Sequence, residues 1–238
     1  EKDRVLMLVG CDYPHHPETV FSDDRGATWS APRRVVSAED GTPLPGLGTS
    51  LTYLGGGKVL FVADQRWLSE DFGETWKKWS DVAQTSDAKP WYMWDPLWVD
   101  RDADGAITQL IETGYTWLRP PEVEKDHQQG YLRFSGDLGK TWSESLRVPQ
   151  WFAANETALL RAADHTLVAA CRTDIPPSKS NEWIDHCEGL GVSRSNDDGH
   201  TWSEIVKLYD YGRHHPSLVL LPDGQPVMTY RLRKRYIN

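Results

Sequence analysis

Four times along the chain the same five residues return in the pattern Ser-x-Asp-x-Gly-x-Thr-Trp. The copies are Ser22-Asp24-Gly26-Thr28-Trp29, Ser69-Asp71-Gly73-Thr75-Trp76, Ser135-Asp137-Gly139-Thr141-Trp142 and Ser195-Asp197-Gly199-Thr201-Trp202. A fixed unit that recurs points to a fold assembled by repetition. Each copy reads as a tight hairpin turn. The aspartate can accept hydrogen bonds from turn amides, the glycine supplies a left-handed backbone angle, and the threonine starts the returning strand. The tryptophan is large enough to wedge between neighbouring sheets.

A second element alternates with the first: an apolar strand, a turn and another apolar strand. It is clearest at Leu51–Leu54, Gly55-Gly56-Gly57 and Val59–Val62, and again at Leu218–Leu221, Pro222-Asp223-Gly224 and Val227–Tyr230. Further copies turn at Asp104-Gly105 and Asp164-His165. Each unit is therefore two strands, a third leading into the repeat turn and a fourth leaving it. Four-stranded antiparallel sheets at this spacing are the blades of an all-β propeller, and no stretch has a sustained helical period. The chain opens on a second strand, Val5–Val9, and closes on another, Val227–Tyr230, so it holds about four blades' worth of strands. One propeller domain over residues 1–238, cut at both ends, is the expectation. Glu1 is preceded by no initiator methionine or signal, and Arg231–Asn238 stops just past a strand. A closed four-bladed ring is the alternative, since propellers run from about four to eight blades.

Twelve tryptophans and nine tyrosines suit such packed sheets. With 35 acidic against 26 basic residues, a net charge of −9, the chain offers no basic field for nucleic acid. No apolar run approaches the roughly 18 residues of a membrane span. Cys11, Cys171 and Cys187 cannot all pair within one chain; Cys171 and Cys187 could meet across a hairpin, with buried thiols as the alternative. The four repeat aspartates recur once per blade, so they do not converge on one point as catalytic carboxylates must. They shape turns.

These repeats resemble the Asp boxes (BNR repeats) of the sialidase superfamily, and the resemblance runs through the whole chain. It implies a ring of six blades, of which this chain is part. In that family a glutamate follows the third box and lies near an arginine at the end of the same hairpin. Here Asn155-Glu156 follows Trp142, and the hairpin through Leu159–Leu160 and Leu167–Ala170 ends at Arg172. The resemblance makes Glu156 the carboxylate that polarises a tyrosine nucleophile, and Arg172 one of three arginines that grip a substrate carboxylate. Forked guanidinium–carboxylate bonds suit the second role, and a base beside a tyrosine suits the first. The plainer alternatives are a turn cap and a surface ion pair. The next hairpin runs from His215-Pro216-Ser217-Leu218 to Thr229-Tyr230-Arg231-Leu232-Arg233, and by position Arg233 matches a second clamp arginine, with Arg231 its competitor. Asp12 follows Val5–Val9 and lies ten positions before Ser22, where the family carries its acid/base aspartate. The family's first arginine would precede Glu1 and its nucleophilic tyrosine would follow Asn238; Tyr236 comes too soon after Arg233.

Trp91, Tyr92, Trp94 and Asp95, with Tyr115 and Trp117, either line a sugar platform or pack one blade on the next. The pairs His15-His16 and His214-His215 suggest ligands, but adjacent side chains on a strand point to opposite faces, so no metal site is expected. One histidine of either pair could reach a substrate hydroxyl. The long loop Thr173–Gly189 leaves the hairpin that carries Arg172, a place where specificity often resides. The resemblance implies an exo-acting glycoside hydrolase, without cofactor, that removes a terminal acidic sugar with retention and works outside the cytoplasm, extracellular or periplasmic. Its rivals are a propeller enzyme acting on another acidic sugar and a non-catalytic propeller that binds glycans or proteins.

Overall fold

The computed structural model describes residues 3–11, 14–174 and 188–232. The described residues form strands and turns, with no helix among them, and so no helix long and apolar enough to cross a membrane. The elements follow the repeat. Strands β1 (Val5–Cys11), β2 (His16–Ser22) and β3 (Arg33–Arg34) form a three-stranded sheet. Next come β4 (Ser50–Gly55), β5 (Lys58–Val62), β6 (Gln65–Ser69) and β7 (Lys77–Asp81), in sequence order in one sheet. The following sheet holds β8 (Trp98–Arg101), β9 (Ile107–Leu118), β10 (His127–Ser135) and β11 (Leu146–Phe152). Strands β12 (Ala154–Arg161), β13 (Leu167–Thr173), β14 (Gly189–Ser195) and β15 (Val206–Tyr209) make another, and β16 (Arg213–Leu220) pairs with β17 (Pro226–Leu232). Pairing is antiparallel wherever the register is defined, for example Leu160 with Val168 and Ala169 with Ser193. Val5–Val9 lies in β1, an edge strand of its sheet.

Each box closes on itself. Asp197 takes the Thr201 amide at 2.8 Å on one oxygen and the Thr201 hydroxyl at 2.6 Å on the other, while Ser195 Oγ accepts the Gly199 amide at 2.9 Å. The Trp202 indole donates to Gly199 O at 2.9 Å, and Gly199 sits at φ 91°. Equivalent bonds recur at Asp24, Asp71 and Asp137. With both oxygens engaged by its own turn, each of these carboxylates is structural. Trp202 then packs on Trp151 of the preceding sheet, ring centroids 4.6 Å apart, which is the wedge expected of it.

Burial falls from the first strands of a sheet to the last. In β12 (ANETALLR) and β13 (LVAACRT) nearly every residue is buried, whereas β15 (VKLY) is exposed throughout. Strands covered on both faces carry apolar runs, and short charged edge strands tolerate water. Contacts divide the chain into two compact units, one of residues 1–83, 99–110 and 135–142, the other of residues 84–98, 111–134 and 143–238. The first has a core of Val35, Leu44, Val59, Phe61 and Trp76. The second is built on Ile111, Leu132, Val148, Trp151, Leu159, Leu167 and Trp202. Within it Trp91 lies over the Arg133 guanidinium at 4.0 Å, and Arg133 pairs with buried Glu112 at 2.5 Å. Trp91 also presses on Gly114, where an added Cβ would stand 2.3 Å from the indole. Trp91 is thus a packing residue. Cys171 is a fully buried thiol, pushed up to about 12 by burial; Cys187 lies outside the described residues.

Two outcomes follow. Gly114→Ala must displace Trp91 and should cost about 1–3 kcal/mol in chemical denaturation. The box carboxylates Asp24 and Asp197 are held down to about 2, first by the threonine hydroxyl and then by the threonine amide. Their unfolded value is about 3.9, so their contribution is complete above about pH 4 and disappears as pH falls toward 2. Melting curves between pH 2 and 6 should therefore converge for the parent protein and Asp197→Asn at the acid end and separate above it. Parallel curves would contradict this account.

Candidate active site

Glu156 stands on the first strand of its sheet, at a bulge where the register shifts between Asn155 and Thr157. Its φ is 28°, a left-handed angle that a glutamate adopts only under constraint. The next first strand repeats the device. The β16–β17 register shifts between His214 and Ser217, and His215 sits at φ 57° immediately before Pro216. Both bulges therefore hold a non-glycine residue in left-handed backbone.

The two bulges aim their side chains at one another. Glu156 Oε1 accepts from Arg172 Nη1 at 2.6 Å, and Glu156 Oε2 meets His215 Nδ1 at 2.9 Å. Arg172 comes from β13, where Asn155 is its cross-strand partner. Its Nε is paired with Glu188, a fully buried carboxylate at the edge of β14. One guanidinium therefore lies between two buried carboxylates. Burial pushes the Glu156 carboxyl up, but the hydrogen bond from His215 and the charges of Arg172 and His215 outweigh it and leave it below the usual range. His215 is raised in return, first by its hydrogen bond to Glu156, against its own burial. The two shifts run in opposite directions across one hydrogen bond.

An aromatic wall and a second acid complete the cluster. Tyr92 and Tyr115 bridge through their backbones and stack at 5.6 Å, which sets the segment carrying Trp94 and Asp95 along β9. Trp94 meets the His215 ring edge-on at 6.3 Å and donates its indole N–H to Tyr115 Oη at 3.1 Å. Tyr115 is pushed up to about 12, chiefly by burial, so its phenol is a poor nucleophile here. Asp95 is buried and raised to about 7 by burial, with the His215 charge opposing and the Glu156 charge adding. A carboxyl that holds its proton near neutrality is suited to donate it to a leaving oxygen.

Of the residues singled out from the sequence, the structure brings Glu156 and Arg172 into direct contact, buried rather than as a surface pair. Asp12 and Arg233 lie outside the described residues, as does most of the long loop. Arg231 faces His214 across the β16–β17 ladder, the position that Arg172 occupies opposite Asn155. The aromatic group divides: Trp91 packs, while Trp94 and Tyr115 border the cluster. One expectation fails. His214 and His215 do not diverge, because the left-handed angle at His215 breaks the strict alternation of a strand. Ligand atoms of His214, His215 and Glu156 all lie within 4.8 Å of one another. Glu188 carried no sequence signal beyond its place at the end of the long loop, and Asp95 only its aromatic neighbours.

No protein-family model matches the chain, and no curated protein sequence does. Solved structures do. A GH93 α-L-arabinofuranosidase of Fusarium graminearum, in complex with arabinobiose, superposes with a TM-score of 0.63 at 14% identity, over 95% of this chain and 71% of that one. A protein of unknown function from Dyadobacter fermentans gives 0.63 at 16%, over 91% and 64%. The NanB sialidase of Streptococcus pneumoniae gives 0.59 at 15%, over 91% of this chain but 32% of its own. This chain has the β-propeller fold. At such identities the likeness is one of fold, and the chain spans about a third of the sialidase and under two thirds of the Dyadobacter protein.

Arg172→Ala would strip buried Glu188 of its guanidinium partner and leave Glu156 with His215, and should destabilise the protein by about 3–5 kcal/mol. Asp95 behaves oppositely to the box aspartates. Its protonated form is the one the fold favours, so its contribution is complete below about pH 4 and is lost as pH rises through about 7. Asp95→Asn should remove that dependence, narrowing the stability difference between pH 5 and pH 8 by at most about 3 kcal/mol.

Proposed function

We propose that the Glu156 cluster is the site of a glycoside hydrolase that removes a terminal sugar, with an acidic sugar of the sialic acid kind as the leading substrate. The observation that carries this reading is Glu156 itself: buried, on a strained bulge, with its two oxygens taken by Arg172 and His215. A carboxylate fixed on both oxygens is oriented rather than merely present, as a base serving a nucleophile must be. In the sialidase-like scheme Glu156 draws the proton from a tyrosine nucleophile and a glycosyl-tyrosine intermediate gives retention. Asp12 protonates the leaving oxygen, and Arg172 with Arg233 grips the sugar carboxylate. Tyr115 does not fit the nucleophile's place, because its environment disfavours the phenolate. Trp94 and Tyr92 offer ring faces for the apolar side of a sugar.

One observation favours a neutral sugar instead. Arg172 is spanned by Glu156 and Glu188, with buried Asp95 nearby, so the cluster carries little net positive charge to attract a carboxylate. The neighbour bound to arabinobiose shares the fold to the same degree as the others.

Parallel assays with an aryl α-sialoside and an aryl α-L-arabinofuranoside separate the two. Turnover of the sialoside, reduced about 100-fold or more by Glu156→Gln and sharply by Arg172→Lys, is the expected result. Turnover of the arabinofuranoside alone would move the assignment to the neutral sugar. A folded protein inert toward both, yet retaining glycans on an array, would replace hydrolysis with binding.

A further inference from the structure

The same bulge that turns His215 toward Glu156 also brings in His214, a buried ring to which the hydrolase reading gives no part. His214 is almost completely buried, His215 is partly exposed, and Glu156 lies between them and Arg172. One ligand atom from each of Glu156, His214 and His215 falls within 4.8 Å of the other two. Around a tetrahedral ion with bonds of about 2.1 Å, donors stand roughly 3.4 Å apart. Glu156 Oε2 and His215 Nδ1, at 2.9 Å, would part by about half an ångström to admit it. A third donor as far off as 4.8 Å would close in by about 1.4 Å to complete the set.

Donor chemistry and charge agree with the geometry. Two imidazoles and one carboxylate form the three-ligand set of catalytic zinc, which leaves a coordination position open. Glu156 and Glu188 share one guanidinium, so their formal charges exceed that of Arg172 by one and a cation is accommodated rather than repelled. Strained dihedrals at two of the three ligands are what a preformed site imposes on its backbone.

We propose that Glu156, His214 and His215 form a binding site for a divalent transition-metal ion, with Zn²⁺ as the natural fit, its open position facing the side bordered by Trp94. An ion held there would offer that position to a sugar hydroxyl and would fix Glu156 by coordination as well as by Arg172.

The test is direct titration, independent of any substrate. Protein stripped with a chelator and dialysed is titrated with Zn²⁺ against a chromophoric competitor, and with Co²⁺ while its visible d–d bands are recorded. The proposal expects one equivalent bound, with Co²⁺ bands of intensity typical of four- or five-coordination. It expects at least about tenfold weaker binding in His214→Ala and in Glu156→Gln, and no change in His16→Ala, whose histidine lies in the other unit. Should His214→Ala fail to fold by circular dichroism, the near-isosteric Glu156→Gln carries the test. Absence of competition for Zn²⁺ by the parent protein, or binding undiminished in the folded variants, overturns the proposal. Hydrolysis by the stripped protein bears on the hydrolase reading alone, so the two can fail separately.

Discussion

Everything in this chain hangs on a carboxylate that is used up by its own turn. In each Ser-x-Asp-x-Gly-x-Thr-Trp segment the aspartate takes the amide and hydroxyl of the threonine four residues on, and the serine takes the glycine amide. That closure locks the hairpin without help from a neighbour. It also fixes the tryptophan, whose indole N–H is tied to the glycine carbonyl, so the ring leaves each turn in a set direction. Packing then follows: Trp76 against Phe61 in one unit, and Trp202 against Trp151 in the other. A local polar motif thereby determines where apolar surface is presented.

The cluster around Glu156 obeys different physics. Regular strands send alternate side chains to opposite faces, which would keep His214 from His215. Two bulges suspend that rule on successive first strands, and the backbone there adopts angles that glutamate and histidine do not choose freely. Such strain persists only where surrounding structure enforces it. Here the β12–β13 ladder holds one side, and Thr113 of β9 binds the Thr157 carbonyl at 2.6 Å on the other. The result is a buried group in which Arg172 lies between Glu188 and Glu156, and Glu156 in turn meets His215.

That arrangement bears on chemistry. A lone buried arginine would attract any anion, whereas one bracketed by two carboxylates is tuned by them, and its remaining donors act through geometry more than through charge. The same surroundings separate the acids: Glu156 is kept ionised by its partners, while Asp95, lacking such a partner among the described contacts, is pushed to about 7. Two carboxyl groups in one neighbourhood with opposed protonation states are a familiar basis for acid–base division of labour.

The all-β class, the strand-turn-strand order and the self-contained box turns are legible in the sequence because all of these are local, and the family resemblance adds the meeting of Glu156 and Arg172 across one hairpin. The turn pattern spans eight residues, and the hairpin from Asn155 to Arg172 closes through one turn at Asp164-His165. Folding in three dimensions is what pairs Glu188 with Arg172, buries Asp95 beside the cluster and brings His215 to Glu156. Asp95 and His215 come from segments about 60 residues from Glu156, Glu188 comes from the far end of the long loop, and no periodicity records which bulge will turn which side chain. His214-His215 makes the point most sharply: the strand rule sends its two rings apart, and a left-handed φ at His215 goes with ligand atoms that converge on Glu156.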